Sequence, residues 1–547
     1  MPTPADLVFR GGSVHTLDAA RRRATAVAVR GGRVVAVGHD ADVRDFVGSG
    51  TEVVDLAGRA LLPGFQDAHV HPAFAGMTLI RCDLSEASGA EDAVAKVRAY
   101  ADGHPDEEWI QGGGWLMDWF PGGTPSRTLL DAAVPDRPVH LVNADGHGVW
   151  VNTRALEIAG VDAGTPDPAD GRIEREADGF PQGTLHEGAA ALVGRHLPRA
   201  SAADGLRALL AGQAHLHALG VTAWQDAMVG SDHGAFDALP AYLTAAADGT
   251  LTGRVNGALW WDRNAGAEQV PQLLAHRERN TVGRFRTRTV KIMQDGVAEN
   301  FTAAMGDAYF DGCGCRTGNS GLSFVDPEAL RGYVEVLDAH GFQVHFHAVG
   351  DRAAREALDA VAQARAANGM NDHRHHIAHL QVVHPDDVPR FAALGVTANT
   401  QPLWAAHEPQ MDELTIPFLG TERAAWQYPF GDLLRAGAVL AAGSDWPVSS
   451  ADPLAGIHVA VNRVLPGGNE PVFLPEQRID LTAALAAYTV GTAYVNHAED
   501  TTGTIEAGKL ADLVLLDRDP YTHPAEEIAD TRVLATYVEG EAVYTAS

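Results

Sequence analysis

The middle of the chain alternates short apolar runs with stretches of helical character, and this alternation limits the fold more than any other feature. Strand candidates stand at 61–71, 220–226, 254–261, 289–295, 343–349, 375–381, 396–401 and 438–445. Strands separated by helices point to βα units and a parallel sheet. Eight such units are what an α/β protein of the (β/α)8 TIM-barrel type requires, and a barrel carries its chemistry at the C-terminal ends of its strands. The stretch 75–215 is too long for one crossover and reads as a subdomain inserted after the first strand.

The two ends of the chain have another character. Residues 6–12, 25–32, 33–38 and 51–56 are β-branched runs cut by glycine turns, and 503–517 and 531–538 resemble them. These ends suggest a small β-sandwich assembled from 1–60 and 482–547, beside a barrel domain spanning 61–481. A chain of 547 residues is long enough for one large domain with such an appendage.

Composition narrows the partners. With 46% hydrophobic and 20% charged residues the chain is an ordinary globular mixture. Its net charge of −30 argues against nucleic acid or an anionic membrane and leaves a small-molecule substrate, with a homo-oligomer compatible. Cys82, Cys313 and Cys315 cannot form a disulfide framework, and Cys313-Gly314-Cys315 reads as a loop with two ordinary thiols. The first residues lack a basic and an apolar region, and no apolar run approaches a membrane span, so the expected location is cytoplasmic.

The chemistry-bearing residues sit in or next to the strand candidates. His69 and His71 follow an apolar run, and on a strand the period of two puts both imidazoles on one face, where they can grip one metal ion. In a chain with 25 histidines the pair alone leaves the metal and the bland reading evenly matched. Downstream, Lys291 stands in the otherwise apolar Thr289-Val290-Lys291-Ile292-Met293, His347 and His379 in the fifth and sixth candidates, and Asp445 at the end of the eighth. The step from His347 to His379 is one βα unit and that from His379 to Asp445 about two, which suits a single barrel. Each has a plain alternative: a solvent-reaching lysine for Lys291, a helix N-cap before Pro447 for Asp445. His345 fills the barrel interior, and His373, His375 and His376 read as solvated residues or as ones that support the ligands from behind.

The ordered set His69-x-His71, Lys291, His347, His379, Asp445 resembles the amidohydrolase superfamily of metal-dependent hydrolases. Asp145-Gly146-His147, Val290-Lys291, His347-Ala348-Val349-Gly350-Asp351, Gln401-Pro402 and Gly443-Ser444-Asp445-Trp446-Pro447 look like its N-substituted formamide deformylase branch. The resemblance implies that His69 and His71 bind one divalent metal, zinc by choice, that His347 and His379 bind a second, and that carboxylated Lys291 bridges them. It makes Asp445 a metal ligand and the catalytic base and acid, with His147 a substrate-side catalytic residue reached from the insert. Relatives in this branch often carry Glu before the matching histidine, where this chain has Ala378, so the partner that orients His379 is left open.

The function these residues imply is hydrolysis of a small molecule's C–N amide bond, an N-substituted formamide or other N-acyl compound, through a metal-bound hydroxide. A mononuclear deaminase or cyclic-amide hydrolase on the same scaffold is the alternative. A non-catalytic barrel scaffold is the rival from outside enzymes, and such a protein should have lost ligands that this chain keeps.

Overall fold

The computed structural model describes residues 3–230 and 236–546. At its centre lies an all-parallel eight-stranded sheet whose strands follow chain order: Phe65–Val70, Val221–Val229, Arg254–Trp260, Phe285–Met293, Gln343–Ala348, His376–His379, Thr397–Thr400 and Leu440–Ala442. Past the last strand the ring closes on the first. The Asp445 N–H donates to the His69 carbonyl at 2.7 Å, and the His71 N–H to the Trp446 carbonyl at 2.9 Å. The fold is a TIM-type barrel with additional sheets.

The strands read as near-continuous apolar runs because helices cover their outer faces and side chains fill the inside. Phe65–Val70 and Gln343–Ala348 are buried at every position. Pro327–Ala339 shows how the covering helices form. Asp326 caps it by accepting from the Glu328 and Ala329 N–H groups, and Leu330, Val334 and Leu337 bury one stripe.

The structure departs from the sequence reading at 61–71, which is not one strand. Ala60–Pro63 lies parallel to Ser13–His15 and antiparallel to Leu513–Leu516, in a sheet of the chain ends, and only Phe65–Val70 enters the barrel. Gly64 makes the switch. Its N–H donates to the Asp512 carbonyl at 2.9 Å, and a Cβ there would meet Thr222 Cγ2 at 2.4 Å, so only glycine fits. An apolar run shows no break in periodicity when it changes sheets.

The sheet holding Ala60–Pro63 has six strands from both chain ends, and a four-stranded sheet of Leu7–Arg10, Ala26–Arg30, Arg33–Gly38 and Glu52–Asp55 faces it. Phe9, Val27, Leu61, Leu513 and Tyr537 form one apolar cluster between the two. The helical run 481–495, grouped above with the terminal strands, packs instead on the barrel, where Leu485 and Tyr488 join the main core. Between the first and second barrel strands, residues 82–187 build a mixed six-stranded sheet with its own core around Trp115, Phe120 and Trp150. Cys313 and Cys315 are exposed free thiols. Among the described residues no helix is long and apolar enough to cross a membrane.

Candidate metal centre

The strand ends bring His69, His71, His379 and Asp445 to one point. Asp445 Oδ1 lies 3.1 Å from Nε2 of both His69 and His71, and Oδ2 lies 3.8 Å from His379 Nδ1. His69, His379 and Asp445 are all buried. Burial pushes the Asp445 carboxyl up, but His69, His71 and His379 outweigh it and hold the group well below the usual carboxylate range. Burial, with Lys291 adding to it, pushes the His69 imidazole down to about 3, and His379 is likewise held well below the usual histidine range. Neutral imidazoles around an anionic carboxylate are the protonation states that a divalent cation needs.

Buried polar atoms are nearly always hydrogen-bonded. Here both ring nitrogens of His379, His71 Nδ1 and Asp445 Oδ1 have no such partner. A nitrogen-and-oxygen donor set with unspent lone pairs fits zinc or a neighbouring divalent ion.

A supporting layer fixes these donors. The His345 Nδ1–H donates to Gln225 Oε1 at 2.7 Å, whose amide nitrogen donates to Asn496 Oδ1, so His345 Nε2 accepts from His69 Nδ1 at 2.9 Å. That chain leaves the His69 Nε2 lone pair facing Asp445. The His347 Nδ1–H donates to Asp295 Oδ1 at 3.1 Å, and Asp295 also receives the N–H groups of Val349, Gly350 and Ala304. Burial pushes the Asp295 carboxyl up to about 7 against the pull of these donors. His347 thus keeps Nε2 for the cavity, its ring 4.3 Å from that of His379.

His379 is held without the glutamate missing at Ala378. Its ring stacks on Trp404 at 5.4 Å and 5°, and its backbone N–H, at φ +77°, donates to Gln401 Oε1 at 2.7 Å. Nor is Asp445 a helix cap. The helix that follows, Pro453–Asn462, is capped by Asp452, which accepts from the Leu454 N–H.

Lys291 stands one inward layer below His347, because it pairs in register with His345 while Met293 pairs with His347. It is 3% exposed, so its head does not reach solvent. Burial pushes the amine down to about 7, and Asp445 draws it only partly back. His345 lies inside the barrel as expected, and of the two roles left open for His375 and His376 the solvated one fails, since both are fully buried. His375 holds Asp338 at 2.8 Å, and His376 is bonded to Asn399 at 3.1 Å.

The insert supplies the opposite wall. His147 follows the turn at Gly146, its ring 5.4 Å from His347, and its Nδ1–H donates to Glu187 Oε1 at 2.9 Å. Burial pushes His147 down, but Glu187 and then Asp145 and Asp445 overcome it and hold the imidazole up at about 9. Glu187 is raised by burial and lowered further by His147, Thr302 and Asn300, down to about 2. Between insert and barrel lies a cavity of about 240 Å³ lined by His147, His347, His379 and Asp445 among others.

Sequence reasoning missed Asp67, Asp295, Glu187 and Trp404. Asp67 Oδ1 takes the N–H groups of His69 and Ser444, tying the first strand to the last. A carboxylate inside an apolar strand run was the available signal for Asp67 and Asp295. Glu187 and Trp404 act through contacts between segments far apart in sequence, which no local pattern reports.

A parallel barrel with imidazoles and a carboxylate converging at its C-terminal mouth is the architecture of a metal-dependent hydrolase. The chain belongs to the amidohydrolase family, whose model matches residues 52–544. It is 32% identical to the protein LONG AFTER FAR-RED 3 of Arabidopsis thaliana, over 99% of this chain and 92% of that one. It is 27% identical to the N-substituted formamide deformylase of Arthrobacter pascens, over 98% and 97%. A metal-dependent hydrolase of Pyrococcus furiosus superposes with a TM-score of 0.72 at 27% identity, covering 94% of this chain and 99% of its own.

Proposed function

We propose that this chain hydrolyses the C–N bond of a small N-acyl compound, with N-substituted formamides the first class to test. One observation carries the reading. Two titratable groups facing one cavity are pushed to opposite charge states, Asp445 to the anion and His147 to the imidazolium up to about 9. Such a divergence assigns a base and an electrophile. The formamide deformylase among its relatives supports the substrate class.

His69, His71, His379 and Asp445 would hold a divalent ion, zinc by donor type, with His347 and Lys291 beside them. The ion supplies Lewis acidity and eases deprotonation of water. Asp445 takes a proton from the attacking water and delivers it to the leaving amine nitrogen, the role of a general base and acid. His147, charged and fixed by Glu187, stabilises negative charge on the acyl oxygen. Burial that brings the Lys291 amine down to about 7 leaves a neutral fraction near neutral pH, the form that adds carbon dioxide with loss of a proton to give a carbamate; that anion would join the donor set. The insert and the Trp404 loop shield the reaction from bulk water.

The test is elemental analysis of protein purified without added metal or chelator, combined with product analysis on formamides, N-acyl amines and cyclic amides. One or two divalent ions per chain and release of formate or another carboxylate with an amine are expected. Full activity in metal-free protein would overturn the reading. A mononuclear deaminase or cyclic-amide hydrolase is the second reading, favoured by the one tight donor group among the described residues, His69, His379 and Asp445. Ammonia, or one ring-opened product, would identify it.

A further inference from the structure

The cavity has an acidic wall to which the chemistry above gives no task. Asp118 sits on the short turn Met117–Trp119 of the insert, Glu299 in the loop after the fourth barrel strand, and Glu408 in the loop after the seventh. Three separate segments therefore bring carboxylates to one cavity. Among the described residues no lysine or arginine lines it, and although charged His147 lines the same cavity, no cation stands among the main groups acting on these acids. Asp118 Oδ1 is buried without a hydrogen-bond partner, while Thr415 Oγ1 donates to Glu299 Oε1 at 2.6 Å.

Like charges gathered in a partly desolvated space repel one another, and an opposite charge placed among them offsets that cost. The strain is visible at Glu408. Burial pushes its carboxyl up to about 7, and Glu299, Asp118 and Asp412 add to the rise. The same cavity opens on His379, 2% exposed with both ring nitrogens unpartnered, and on Asp445, so it is a ligand site and not a solvated acidic patch. Trp404 and Tyr428 also line it, and aromatic faces attract organic cations more than hydrated metal ions.

We propose that the substrate carries an organic cation, an ammonium or guanidinium group, received by Asp118, Glu299 and Glu408 while its acyl end lies at His379 and Asp445. This rests on the amide-hydrolase reading and narrows it. The net charge of −30 acts in the same direction, steering cations toward the molecule.

Choline and 3,3-dimethylbutanol have nearly the same shape and differ in charge, and neither is an amide. Calorimetric titration of the metal-loaded protein with each should show choline binding at least about tenfold tighter, a difference of roughly 1.4 kcal/mol. The double variant Asp118→Asn, Glu408→Gln should bring the two affinities to within about twofold. If it does not fold, Glu408→Gln alone should narrow the gap. Equal or tighter binding of the neutral alcohol by the unsubstituted protein overturns the proposal. So does displacement of choline by equimolar calcium that the double variant no longer retains, because the acids would then hold a metal ion. Charge-selective binding with no amide cleaved would sink the hydrolase reading and leave the cation site standing.

Discussion

On the barrel side of the cavity each donor leaves or borders the end of a strand, and hydrogen bonds from neighbouring strands fix it: His345 behind His69, Asp295 behind His347. On the insert side, His147 follows a turn at Gly146 and Glu187 ends a strand at positive φ; the two hold each other, and Thr302 and Asn300 of a barrel loop also donate to Glu187. The barrel wall therefore sets which donors meet, and the insert wall sets charge and shape around the substrate. The wall that gathers the donors should lose chemistry outright when altered. The wall that sets charge should lose tuning.

The strongest attempt to break this contrast is Asp445→Asn, which keeps size and one oxygen but cannot take a proton as a carboxylate does. It should lower kcat by about 10²–10⁴-fold while the fold survives and metal stays at His69 and His71. Steady-state kinetics with metal analysis checks it, and a near-normal kcat would move proton transfer elsewhere, to His147 first.

Lys291→Ala should come next, with metal affinity down by roughly tenfold to 100-fold and partial rescue by a short carboxylic acid that enters the vacated space. Unchanged metal content and rate would reduce Lys291 to a packing residue.

On the insert side, Glu187→Gln should leave metal content alone and move the alkaline limb of the pH–rate profile. His147 is charged below about 9 in the folded protein, so activity that depends on the imidazolium holds up to that pH and falls as pH rises through it. Without the Glu187 charge the limb should shift down toward the ordinary histidine value of about 6.5. A limb that stays in place would show that His147 has no such role.

The smallest effect sharpens the comparison. Thr302→Val removes one donor from Glu187, and should shift the same limb slightly and cost about 1 kcal/mol of stability. Thermal unfolding and a pH profile measure both, and a loss of metal would show that the two walls are coupled more tightly than described.

The same contrast decided what could be read from the sequence. His69 and His71 stood out because strand period and an apolar lead-in place them together, and Lys291 because a lysine in an apolar strand demands a reason. The eight barrel strands were legible for the same cause, since burial on both faces writes an apolar run. The switch at Gly64 was not, because both halves of 61–71 are apolar and differ only in their neighbours. Glu187, Asp118, Glu299 and Glu408 were silent as well. Each is an ordinary polar residue near a turn or loop, and only the folded chain reveals that they share a cavity.

The double duty of residues 60–71 bears on how the protein comes into being on the ribosome. Ala60–Pro63 takes Leu513–Leu516 as a neighbour, and His69 takes Asp445, so this early segment waits for partners made hundreds of residues later. Chains fold from the N-terminal end as they emerge. A nascent chain stopped short of Leu440–Ala442 would carry His69 and His71 on a strand with one flank bare, unable to close the ring. Synthesis of the eighth barrel strand and of Asp445 is then the event before which the centre cannot assemble, and Leu513–Leu516 later completes the flank of Ala60–Pro63.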